Sequence, residues 1–122
     1  MALNTENIAG KLTYFHEQLH LLHWQTRSFA EHKALGGLYE YVQDFKDDVV
    51  EKLMGYTGKR IASLNIDSIN SKADSDKVVD EIIKFSEELM NFADSNKYLD
   101  ISNMAQSLSG EAAKTKYLLT LS

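Results

Sequence analysis

The chain has 122 residues, with 13 Lys and Arg against 18 Asp and Glu for a net charge of −5, and it contains neither cysteine nor proline. That length makes one domain over residues 1–122, and it buries about two-thirds of its unfolded surface without staples. The missing cysteines exclude disulfides, thiolate zinc sites and cysteine nucleophiles, the acidic balance argues against nucleic acid as a partner, and no apolar run approaches the roughly 20 residues that span a bilayer.

Four stretches carry helical periodicity and none carries sustained strand alternation. The first, over about residues 4–26, repeats Ile8, Leu12, Phe15, Leu19 and Leu22 at spacings of 4, 3, 4 and 3 on one face. The second opens at Ser28, where Ser28-Phe29-Ala30-Glu31 fits a capping box. Its stripe is Leu35, Leu38, Val42, Phe45, Val49 and then Leu53 or Tyr56. It fades past Gly55 and Gly58, although residues 59–64 can continue it. A polar stretch over residues 65–76 reads as the one long connection. The third helix shows Val78, Ile82, Phe85, Leu89 and Phe92, and Asp94-Ser95-Asn96 breaks it. The fourth carries Ile101, Met104, Leu108, Ala112 and Leu118 or Leu119. The expected fold is all-α, an antiparallel four-helix bundle.

The four histidines are grouped. His16, His20 and His23 lie on the first helix and His32 just inside the second. At about 100° per residue, the first three flank the core stripe. Histidines at i, i+4 and i+7 are surface neighbours on a helix, and neutral imidazole is a common metal ligand. Half-buried polar residues lining a helix seam are the plainer reading. On the second helix Glu40, Asp44, Asp47 and Glu51 form an acidic row opposite the core stripe, which by itself reads as a solvated face. Beside it Tyr39, Val50 and Met54, with His32, make a second, partly apolar strip that calls for a partner surface.

Two metal motifs are incomplete. His16-Glu17-Gln18-Leu19-His20 spells the HExxH of zinc proteases, but the position six residues past His20 is Thr26 and no strand is visible to form a cleft. A di-iron site inside one bundle needs two Glu-x-x-His pairs. Glu17 and His20 supply one, whereas Glu111 is followed at that spacing by Lys114.

His23-Trp24, then Phe29, His32, and Asp47-x-x-x-Glu51 resemble the signature of the Dps-type mini-ferritins. The resemblance covers about residues 12–55, and Lys116-Tyr117-Leu118-Leu119 is similar to that family's last helix. It implies a ferritin-like bundle whose metal lies between two subunits, with histidines of one facing the Asp and Glu of the other. It also implies oxidation of ferrous iron there. His20 or His23, with His32, would supply nitrogen, and Asp47 with Glu51 would supply oxygen from the partner. Such a mixed set suits iron, zinc or manganese. The family's further carboxylate falls on Gly36, its short extra helix would fit within residues 63–71, and the DNA-holding lysine-rich tail of some members is absent.

The expectation is therefore a ferritin-like homodimer or larger homo-oligomer in the cytoplasm. It would bind iron or another divalent metal at a subunit interface, a ferroxidase in its most active form, without nucleic-acid or membrane partners. The alternative is a helical scaffold or interaction protein without the metal chemistry, which Gly36 favours.

Overall fold

Asn4 opens the first helix with a reciprocal cap. Its side chain accepts from the Asn7 amide and the Asn7 side chain accepts from the Asn4 amide, both at 2.8 Å. In the computed structural model, which describes residues 2–122, the helices are α1 (Thr5–Gln25), α2 (Phe29–Thr57), α3 (Ser75–Asn96) and α4 (Leu99–Leu119). The protein is 77% helical, and no strand occurs among the described residues. None of the helices is long and apolar enough to cross a membrane.

Each boundary has a local cause. Ser28 Oγ accepts from the Glu31 amide at 3.1 Å and starts α2. The expected box is only half made, because the Glu31 carboxylate accepts from Ser75 Oγ at 2.7 Å instead. That bond ties the start of α2 to the start of α3. Gly58, at φ 70°, ends α2 in the left-handed conformation that glycine adopts without steric cost. Asp74 caps α3 by accepting from the Lys77 amide. Asp94-Ser95-Asn96 does not break this helix. It continues to Asn96 and stops at Lys97, φ 61°, whose amide donates to the carbonyls of Ala93 and Asp94.

The repeating apolar positions are the core. Ile8, Leu12, Phe15 and Leu19 of α1 meet Leu35, Val42, Val49 and Leu53 of α2, Ile82 and Leu89 of α3, and Ile101 and Leu108 of α4, all buried. Phe15 and Phe85 pack edge to face across α1 and α3, 5.6 Å between centroids. Tyr56 does not extend the α2 stripe; it is exposed and stacks on Tyr98.

The connection between α2 and α3 spans residues 58–74 and contains no helix, so neither the continuation over residues 59–64 nor a short helix within residues 63–71 forms. It runs along α1 as an extended strap. The Ala62 amide donates to Glu6 near the start of α1, and Lys11 faces Asp67. Gln18 is fully buried and holds Asn70 at both backbone groups, accepting from its amide at 2.8 Å and donating to its carbonyl at 3.0 Å. Gln25, at the far end, donates to the Ser71 carbonyl. Gly10 makes the close approach possible, since a Cβ there would lie 2.1 Å from the Asn65 carbonyl oxygen.

Because the strap travels the length of α1, α3 starts beside the start of α2. The order of directions is up, down, down, up. Helices α1 and α2 pack together, as do α3 and α4, α1 and α3, and α2 and α4. Each of these packed pairs is antiparallel, as expected, and the one long crossover joins α2 to α3.

Candidate functional site

The α1–α2 corner gathers all four histidines. His23 and His32 stack nearly face to face, 3.7 Å between centroids and 17° between planes. Each ring is fixed by the other residue's backbone. His23 Nδ1 donates to the His32 carbonyl at 2.7 Å, and His32 Nδ1 donates to the His23 carbonyl at 2.8 Å. A carbonyl only accepts, so both rings carry their proton on Nδ1 and, when neutral, expose a lone pair on Nε2. The His23 carbonyl lies in the last turn of α1, where intrahelical donors run out; His32 supplies one.

Gly36 belongs to this clamp. A Cβ on it would stand 3.0 Å from His23 Cε1 and 3.1 Å from Nδ1. The position where the mini-ferritin pattern carries a carboxylate is therefore filled from outside by an imidazole, a consequence of the α1–α2 crossing that residue spacing does not reveal.

One turn back, His20 lies against Trp24, 3.8 Å between centroids, and against Tyr39 at 4.3 Å. Burial and the neighbouring His16 and His23 hold its pKa below the ordinary histidine value, against a smaller opposite pull from Glu17. His16 stacks on the other part of Tyr39 at 4.6 Å and donates from Nδ1 to Glu17 Oε1 at 2.8 Å. Its Nε2 is buried with no hydrogen-bond partner among the described residues.

Asp47 and Glu51 are placed elsewhere. They lie on α2 about four and five turns beyond His32, roughly 22 Å and 28 Å at 1.5 Å per residue, so one chain does not bring them to the His23–His32 pair. Both are exposed and lie one turn apart. Repulsion from Asp47 holds the Glu51 carboxyl above its usual range. Among the described residues, Glu40, Asp44, Asp47 and Glu51 form no ion pair, whereas Asp48 and Asp100 both grip Lys52. No three His, Asp or Glu side chains among the described residues converge to hold an ion.

The surface has apolar groups that periodicity did not flag. Trp24 is 66% exposed and Phe29 75%, on either side of the α1–α2 turn. Tyr39 and Val50, expected on a free strip, are half-buried against the chain's own core. An exposed aromatic at each end of a three-residue turn could have been anticipated, because neither falls on a core stripe.

A family model described as a family of unknown function, DUF5856, matches residues 23–119. The chain is also 27% identical, over 116 residues, to the uncharacterized 14.6 kDa protein in the mobD-ri intergenic region of Enterobacteria phage T4. That alignment covers 92% of this chain and 84% of the phage protein. No solved structure matches.

Proposed function

We propose for this chain, which belongs to the family of unknown function DUF5856, a function carried by its surface: a non-catalytic helical interaction protein that pairs with a second copy of itself through the α1–α2 face. The observation that carries this reading is the exposure of Trp24 and Phe29 around the histidine corner, on the same helix pair as four carboxylates without a cation. Exposed aromatics rimmed by polar groups mark contact surfaces. The partner in this reading is a second copy of the chain. Two copies related by a twofold axis, with their α2 helices antiparallel, place the histidine corner of each opposite the acids of the other. A cytoplasmic homodimer or larger homo-oligomer fits this reading.

Light scattering tests it. The protein should run above its 13.8 kDa chain mass, and Trp24→Ser with Phe29→Ser should shift it towards monomer. A monodisperse monomer at high micromolar concentration would remove the interface.

The free Nε2 atoms of the histidine pair favour a second reading, in which iron, zinc or manganese binds between subunits at His20 or His23, His32 and the partner's acids, with ferroxidase activity as its catalytic form. The fit is partial. Rings stacked in near-parallel planes cannot aim both lone pairs at one ion, so the His23–His32 pair offers each ion one nitrogen unless the stack opens. Mixing decides it: His32→Ala and Asp47→Ala/Glu51→Ala chains should each bind ferrous iron poorly and regain binding when co-refolded.

A further inference from the structure

We propose that His16 and His20 form a binding site, within a single chain, for a late first-row divalent transition ion, copper(II) foremost. The two rings lie one helical turn apart, 6.1 Å between centroids and with planes inclined at 49°. Two imidazoles sharing an ion at metal–nitrogen distances of about 2.0–2.1 Å have centroids roughly 5–6.5 Å apart. Their inclined planes allow in-plane lone pairs to converge, which the parallel His23–His32 stack forbids.

His16 is prepared as a ligand. Its Nδ1–H is held by the Glu17 carboxylate at 2.8 Å, the outer-sphere contact that orients metal-bound imidazoles and raises their basicity. That contact leaves the lone pair on Nε2, the atom that is buried without a partner. A buried polar atom without a partner in a native fold needs a water, an ion or another explanation. Among the described residues neither ring nitrogen of His20 makes a hydrogen bond; its contacts are with other rings. Tyr39 contacts both rings and Trp24 backs His20, restricting their rotation before any ion arrives. With two nitrogen ligands and no third His, Asp or Glu ligand converging among the described residues, the remaining positions belong to water. Selectivity then follows the Irving–Williams order, with manganese weakest and copper strongest.

Trp24 is the sole tryptophan, and its ring lies 3.8 Å from that of His20, so its fluorescence reports the ion. Titration of the whole protein with copper(II) sulfate should quench Trp24 saturably at one equivalent, with reversal by EDTA. His16→Gln and His20→Gln should each weaken binding at least tenfold. Because a core-facing histidine variant can misfold, electron paramagnetic resonance of copper-loaded wild-type protein supplies a check without mutation, and two nitrogen couplings are expected. Non-saturable quenching, a spectrum of aquo copper, or equal quenching in the His16→Gln/His20→Gln double variant would each overturn the site.

Discussion

Gly36 and Gly37 are chain neighbours in the same helix with opposite environments. A Cβ on Gly36 presses on the His23 ring, while one on Gly37 meets nothing. Gly36→Ala should displace the ring from the His32 carbonyl and cost about 1 kcal/mol, the worth of a typical hydrogen bond, even after the helix-propensity gain. Gly37→Ala should keep that gain and stabilise by about 1 kcal/mol. Urea denaturation of the two variants checks the pair of signs. The carboxylates give a second test. Glu51 titrates above its ordinary value in the folded chain because of Asp47. Between the unfolded and folded values the folded chain holds more protons, so this pair's contribution to stability falls as pH rises through that interval. Asp47→Asn should lower the Glu51 midpoint in NMR titration and flatten that pH dependence; an unmoved midpoint would mean the two acids do not interact. Helical spacing grouped His16, His20 and His23 on one helix and Glu40, Asp44, Asp47 and Glu51 in a row on the next, whereas joining His32, Asp47 and Glu51 into one ligand set came only from the mini-ferritin resemblance. Neither revealed that His23 and His32 bond to each other's backbone, since that depends on the angle at which two helices cross.

The α2–α3 connection shows where reading by periodicity runs out. Ile61 and Leu64 keep an apolar rhythm that a helix can use, yet residues 59–64 form no helix. What decides the matter lies on another element: Gly10 leaves room for the Asn65 backbone, and buried Gln18 satisfies both backbone groups of Asn70. A buried glutamine on an otherwise apolar face was the available signal, because such an amide requires partners. The four helices were legible because their stripes repeat over five or six positions. Gly10→Ala should force the strap off α1 and cost about 2 kcal/mol, in the range of overpacked sites, with little change in helical circular dichroism. An unaltered midpoint of thermal unfolding would mean the strap is not held there.

At the scale of the molecule, the two hairpins α1–α2 and α3–α4 share one core. Thermal unfolding should therefore be a single transition, coincident by Trp24 fluorescence and far-ultraviolet circular dichroism. Two separated midpoints would mean that the hairpins melt independently. The crossover has an electrostatic consequence as well. Each helix carries about half a positive charge at its start and half a negative charge at its end. Since α2 and α3 run the same way on a diagonal and all four packed pairs are antiparallel, each end of the bundle alternates two helix starts with two helix ends around the square. The axial dipoles cancel pair by pair. A tight turn after Thr57 would instead reverse α3 and α4, leaving α1 aligned with α3 and α2 with α4. Two helices would still point each way, so the net axial dipole is close to zero in either topology. The long strap adds that every helix end lies beside ends of opposite sign, so the partial charges offset one another locally at both ends of the bundle.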